Sequence, residues 1–332
     1  MIFRFFLTVV VIAAVAAGLA YADYQAFLEE PVQLGEETQS FTVESGWSAK
    51  RTAQELAGRE IISKPLWFYL HARLEKKAGS IKTGEFELRP EMTSASLLDL
   101  FVEGQAKLYS HVIIEGSTFK QVREKLAADP QLSMTLLEVP SEKIMGLLGK
   151  EGEHPEGQFF ADTYRFPKNF TDQDFLRRSH QVLMKVLDEE WANRAPDLPY
   201  KTPYEALIMA SIIEKETAVA AERPLIAGVF VSRLRKGMRL QTDPTVIYGI
   251  GDAYDGNIRR SDLKRDTPYN TYTRGGLPPT PISMVGREAI NAALNPQQTT
   301  ALYFVSRGDG THKFSDTLEQ HNAAVRKYQL KR

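Results

Sequence analysis

Glu214, Lys215 and Glu216 follow the run YEALIMASII, Tyr204 to Ile213, in which seven of the last eight residues are apolar. A carboxylate leaving such a segment is partly desolvated, and desolvation lifts a carboxyl pKa toward neutrality. A carboxyl that holds its proton near pH 7 can act as a general acid. Two residues along an α-helix correspond to about 200° of rotation, so Glu216 is expected to face away from Glu214 as a structural partner, for example of an arginine. The plain alternative is that Glu-Lys-Glu marks where a buried helix meets solvent. Taken alone, the residues leave both readings open.

Rival chemistries find less support. The six histidines (His71, His111, His154, His180, His312, His321) form no H-x-x-x-H or H-E-x-x-H pair, so no metal site is expected. The lack of cysteine removes disulfides, thiolate zinc sites and cysteine nucleophiles together. S-x-x-K, a pattern of serine acyl-enzymes, occurs at Ser117–Lys120 and Ser261–Lys264. No S-D-N follows it, and the K-T-G at Lys82-Thr83-Gly84 precedes both serines. Gly249-Ile250-Gly251 lacks the third glycine of a dinucleotide loop and no Walker sequence occurs, so no cofactor is expected. With 41 basic and 42 acidic residues the formal charge is −1. No basic domain stands out, which argues against nucleic acid as a partner.

The helix that must present Glu214 has a well-specified start. Thr202-Pro203-Tyr204-Glu205 supplies an N-cap, a proline at the first helical position and a glutamate at the third. The helix expected from Tyr204 to about Ala220 is apolar on nearly every face, hence buried all round. Another is expected over 223–240, with Arg233, Arg235 and Lys236 near the end that favours cations. Tyr269 to Ile282 is a polar loop punctuated by Gly and Pro, and loops of this length are commonly functional. A helix over 286–294, a strand over 301–305 and a helix over 318–328 finish the chain. Upstream, 119–200 reads as mostly helical, interrupted by the loop from Glu156 to Tyr164. Its rings, Phe159, Phe160 and Tyr164, either offer a flat surface to a ligand or tuck into the core.

Nearer the N-terminus the pattern is strand 41–43, helix 49–56 capped near Ser48, helix 65–77, strand 84–88, helix 94–103 and strand 109–114. Helix 119–127 follows. So many short elements of both kinds make a small α+β module. Phe5 to Ala22 carries no charge over eighteen residues, just sufficient to span a bilayer. Arg4 precedes it while Asp23, Glu29 and Glu30 follow, which favours the N-terminus inside. Ala20-Tyr21-Ala22 also fits a cleaved signal peptide; in both cases the rest is exported. Residues 23–40, acidic and polar with Pro31 and Gly35, read as a linker. A chain of 332 residues, 43% hydrophobic and 25% charged, suffices for two folded domains. The fold class expected is α+β: a transmembrane helix (1–22), the linker (23–40), the small module (41–110) and a larger mixed α/β domain (111–332). By elimination, carboxylate acid–base chemistry on a polymer outside the cytoplasm is the best-supported class.

Several ordered motifs carry a resemblance. They are Ser211-Ile212-Ile213-Glu214-Lys215-Glu216-Thr217, Arg239-Leu240-Gln241-Thr242-Asp243-Pro244-Thr245-Val246, Tyr248-Gly249, Tyr269-Asn270-Thr271-Tyr272, Gly276-Leu277-Pro278-Pro279 and Pro281-Ile282. With the loop from Glu156-Gly157 to Tyr164, and Leu302-Tyr303-Phe304-Val305, Gly310-Thr311-His312-Lys313-Phe314 and His321-Asn322, they run in order from Glu156 to Asn322, half the chain. This chain resembles the endolytic murein transglycosylases of the MltG (YceG-like) family. The resemblance implies that 41–110 is a LysM-like module and 111–332 the catalytic domain. It implies cleavage of the MurNAc-β-1,4-GlcNAc bond in nascent peptidoglycan strands with 1,6-anhydro ends, terminating elongation. Glu214 matches the family's catalytic glutamate, and one carboxyl suffices if it serves in turn as acid and base. The cleft is expected to draw on Gln241, Asp243, Tyr248, Asn270 and Tyr272, with Phe160, Asp162 and Tyr164 from the earlier loop. The topology implied is single-pass in the bacterial inner membrane with the C-terminal domain in the periplasm. Peptidoglycan synthases (penicillin-binding proteins) are candidate partners. Two readings compete: a non-catalytic, membrane-tethered peptidoglycan-binding scaffold, and a muramidase-type hydrolase.

Overall fold

The computed structural model describes residues 2–44, 46–104 and 106–330. Met1 of the expected anchor and the last two residues of the expected second domain lie outside them. The chain divides into two compact units, Met1–Tyr109 with Arg165–Asn169, and Ser110–Tyr164 with Phe170–Arg332. Both mix helices and strands.

In the first unit, α1 (Ile2–Glu29) leads to β1 (Gln39–Val43), α2 (Ala49–Gly58), α3 (Pro65–Leu74), β2 (Gly84–Leu88) and α4 (Ser94–Glu103). The stretch Phe5–Glu29 is long and apolar enough to cross a membrane, with a mean hydropathy of 2.4. Residues 23–40 are not the free linker expected. The helix continues to Glu29, because nothing before Pro31 breaks it and Tyr24, Phe27 and Leu28 recur at helical spacing. Phe27 is fully buried, Val32 and Leu34 join the same core, and Trp67 Nε1 donates to Asp23 at 2.9 Å. β1 and β2 pair antiparallel with Phe41 opposite Phe86. Both rings pack on Phe101, at 5.7 and 4.9 Å between centroids. Ser48 caps α2, and Thr93 caps α4 through a reciprocal box with Ser96.

In chain order β3 (Leu108–Val112), α5 (Phe119–Ala127), β4 (Leu132–Ser133), α6 (Ser141–Leu147), β5 (Thr163–Pro167), β6 (Phe170–Thr171) and α7 (Asp172–Ala192) follow, with β3 and β5 each divided by a unit boundary and the rest in the second unit. Residues 119–200 are therefore less helical than their composition suggests, and β4 pairs parallel with β6. Next come α8 (Pro203–Glu216), α9 (Arg223–Arg235), α10 (Asp243–Ile250), α11 (Arg260–Lys264), α12 (Arg287–Leu294), β7 (Tyr303–Ser306), β8 (His312–Ser315) and α13 (Leu318–Tyr328). β7 and β8 form a hairpin; only its first strand is visible in the sequence pattern. The core gathers around α8, whose residues 206–213 are all buried and pack against α7, α9 and α12.

The rings of the 156–164 loop tuck inward. Phe159 is fully buried and stacks on Phe119, with centroids 5.1 Å apart. Tyr164 packs edge-on against Phe175, and its hydroxyl donates to the Phe160 carbonyl at 2.9 Å. An apolar ring in a turn gains more from the core than from water, so neither Phe160 nor Tyr164 offers a face to a sugar.

Candidate active site

The start of α8 forms as its sequence requires. Thr202 Oγ1 accepts from the Glu205 backbone N–H at 3.2 Å, and Pro203 takes the first helical position. The Glu205 carboxylate reaches back to the Lys201 N–H, 2.5 Å away. The helix ends at Glu216, four residues earlier than expected, where Thr217 turns extended. Three consecutive charged side chains therefore leave one helix end in three directions.

Glu214 turns into the protein, its side chain only 3% exposed. One carboxylate oxygen takes Arg223 Nη2 at 3.0 Å, and the other accepts the Gly286 backbone N–H at 3.0 Å. Burial pushes its pKa up and the charge of Glu115 adds to this, while the Gly286 N–H and Arg223 pull the other way. Two further carboxylates share the arginine with Glu214: Glu115 Oε2 lies 3.5 Å from the same Nη2, and Glu288 lies 3.9 Å from Nη1. The two oxygens on Nη2 are thus no farther apart than the sum of their distances to it. Glu115 arrives on a turn pinned in place: Gly116 N–H donates to Met284 O at 2.9 Å, and Met284 N–H donates to Ser117 O at 2.8 Å. Gly116 has φ +75°, the left-handed region open to glycine.

Lys215 is exposed and donates to the Gly116 carbonyl at 3.1 Å. It lines a cavity of about 690 Å³ whose wall includes Glu156 and Tyr248. Glu156 is 4% exposed, accepting from the Phe119 N–H at 2.9 Å and from the Tyr248 hydroxyl at 3.1 Å. Burial among these neutral partners raises it to about 7.

Glu216 faces a different cavity, of about 490 Å³, together with Gln241, Asp243, Tyr272, Tyr303 and His321. Its partner is the Thr242 hydroxyl, whereas the glutamate paired with an arginine is Glu214. Burial lifts Glu216 to about 7, and the Asp243 charge contributes. Gln241 holds φ +53° and accepts from Arg233. Tyr272 donates to Asp243 at 2.6 Å.

The expected cleft residues therefore do not form one group around Glu214. Gln241, Asp243 and Tyr272 gather with Glu216. Tyr248 belongs with Glu156 and Lys215. Asn270 is 1% exposed and organises its loop: its amide donates to the carbonyls of Asp262, Leu263 and Arg265, and its own oxygen accepts from the Tyr272 N–H. An amide with every polar atom committed inside the loop is scaffolding. Phe160 and Tyr164 are in the core, and Asp162 is exposed, accepting from the Thr163 N–H. Arg223, Glu115 and Gly286 escaped the sequence reading. One signal for Arg223 was present: an arginine in the first turn of a helix sits at the end that disfavours cations, which implies a carboxylate partner nearby.

The geometry defines a mixed α+β protein with a buried carboxyl at the end of a buried helix, beside an arginine. This chain belongs to the YceG-like family, whose model matches residues 41–327. It is 30% identical to the endolytic murein transglycosylase of Bacillus subtilis (strain 168), over 92% of this chain and 89% of that one. The protein of the same name from Streptococcus pneumoniae D39 is 26% identical over 95% of this chain, which spans 63% of that longer protein. A yceG-like protein of Listeria monocytogenes, known from its crystal structure, superposes with a TM-score of 0.55 at 29% identity. The match covers 87% of this chain and 99% of that one.

Proposed function

We propose that this chain is an endolytic murein transglycosylase. It cuts the MurNAc-β-1,4-GlcNAc bond within nascent glycan strands and leaves a 1,6-anhydro-MurNAc end, which terminates elongation. The observation that carries the reading is the Glu214 carboxyl, buried on α8 and clasped by Gly286 N–H and Arg223, in a chain whose relatives bear that name. In its protonated form Glu214 gives its proton to the glycosidic oxygen as the C1–O bond breaks. As carboxylate it takes the proton of the C6 hydroxyl while O6 closes on C1. The residue ends protonated as it began, and no water is consumed.

In the same proposal α1 anchors the chain in the bacterial inner membrane and the remainder faces the periplasm. Residues 41–110 act as a LysM-like glycan-binding module, supported by the strand-helix-helix-strand order with antiparallel strands. Residues 111–332 are the catalytic domain. Gln241, Asp243 and Tyr272 contact the strand from the cavity they share with Glu216, and Tyr248 from its own. Penicillin-binding synthases are the protein partners this role calls for.

The test incubates the full-length chain in detergent with glycan strands and weighs the products. Anhydro ends are expected, and Glu214→Gln should lower their yield at least about a hundredfold. Loss of cleavage in Glu216→Gln alone would move the chemistry to the cavity glutamate. The proximity of Glu115 to Glu214 favours a second reading, muramidase-type hydrolysis, because such enzymes use two carboxylates about 5–10 Å apart. Reducing ends would support it, and no cleavage at all would leave the peptidoglycan-binding scaffold.

A further inference from the structure

We propose that Glu115 is a positioning residue for Glu214: by sharing Arg223 it prevents an exclusive Glu214–Arg223 pair and thereby sets the pH range over which Glu214 keeps its proton. The inference rests on the reading of Glu214 as acid and base.

The two carboxylates meet one guanidinium nitrogen in unequal surroundings. Glu214 is 3% exposed and 3.0 Å from Arg223 Nη2; Glu115 is 43% exposed and 3.5 Å from it. A buried carboxylate with an arginine to itself and a backbone N–H on its other oxygen would be held in its ionised form. That form can take a proton from a hydroxyl but cannot give one to a leaving oxygen. A second carboxylate on the same nitrogen divides the arginine's attraction and adds like charge, which favours the protonated form. The direction of the Glu214 shift agrees, since Glu115 is among the groups that raise it.

The other charged groups around α8 are already engaged. Glu288 on α12 touches the far nitrogen of Arg223, and Lys215 donates to the Gly116 carbonyl. Glu190 on α7 is held by Arg287 and Asn291, and Asp243 at the start of α10 accepts from Tyr272. Among the described residues, Glu115 is therefore the group that competes for the nitrogen Glu214 uses. Its seat is shaped for it: a Cβ on Gly286 would come within 1.9 Å of Glu115 Oε1.

The experiment titrates the full-length chain in detergent by infrared difference spectroscopy, with Glu214→Gln subtracted to isolate the Glu214 carboxyl. The pH profile of strand cleavage is followed in parallel. In Glu115→Gln the carboxyl midpoint should fall by about one pH unit, and the alkaline limb of the profile should follow. Cleavage above that limb then drops about tenfold, while the rate at lower pH persists and the ends remain anhydro. Glu115→Asp, which keeps the charge, should restore part of the shift. An unmoved midpoint overturns the proposal, as does a loss equal at every pH. So do reducing ends that disappear in Glu115→Gln, because Glu115 would then be a catalytic carboxylate. If Glu214→Gln still cleaves, the assignment of Glu214 fails, yet the infrared midpoint still decides whether Glu115 governs its proton.

Discussion

Glu85 on β2 in the first unit and Glu156 in the second are equally little exposed, each 4%, yet their pKa values move in opposite directions. Burial raises both. For Glu85 it is outweighed by hydrogen bonds from Ser40, Tyr109 and Lys168 and by the Lys168 charge, which hold it at about 2. Lys168 Nζ lies 3.1 Å from its carboxylate and the Tyr109 hydroxyl donates at 2.8 Å. Glu156 receives a backbone N–H and a phenol, both neutral, and rises to about 7. Equal exposure therefore does not fix ionisation: Glu85 gathers a cation and two hydroxyls, whereas Glu156 lies deeper with only neutral hydrogen-bond donors. Glu214 is also raised by burial, and it has a cation in contact, but one that it shares.

The largest test of the contrast removes the cation. Lys168→Met should destabilise the first unit by about 2–3 kcal/mol at pH 7, read from Trp47 and Trp67 fluorescence during denaturant unfolding in a Trp191→Phe background. Adding Glu85→Gln should recover most of the loss, and failure to recover it would show that packing of the lysine stem matters more than its charge. Because Glu85 is depressed from 4.5 to about 2, its contribution is complete above pH 4.5 and is lost as pH falls toward 2. That acid loss should shrink in Lys168→Met. Glu156 runs the other way: raised from 4.5 to about 7, it contributes fully below pH 4.5 and loses that contribution as pH rises through 7. Glu156→Gln should therefore gain roughly 1–3 kcal/mol at pH 8 and nothing near pH 4.5, visible as a flatter dependence of Tm on pH. The smallest effect is expected from Tyr248→Phe. Losing one hydroxyl should cost about 1 kcal/mol and push Glu156 further up, so the same Tm curve breaks at higher pH.

Legibility followed locality. The helix carrying Glu214 could be read because its cap and apolar run lie within a few residues of one another, and β2, α4, α5 and α13 match their expected bounds. The divergence of Glu214 and Glu216 followed from helix geometry. Pairings between distant segments were hidden. Nothing local in Glu115-Gly116-Ser117 reveals that it docks on Met284, and the rings of the 156–164 loop could equally have faced outward. Asn270 shows the same limit, since an amide suited to sugar hydroxyls is equally suited to three backbone carbonyls. Arg223 is the intermediate case, betrayed only by its unfavourable place in a helix.

Gly286 has an ordinary φ of −90°, so what reserves the position for glycine is room. The obstacle to a methyl there is the tip of a half-exposed, flexible glutamate, which can swing into solvent without disturbing the core. Alanine at 286 would thus evict a charge without deleting one, and the Gly286 N–H would stay on Glu214. In an alanine scan this position would score like a member of the reaction machinery although it has no side chain. Across related sequences, bulk at 286 and an acid at 115 should be mutually exclusive, giving evolution a steric control over a proton.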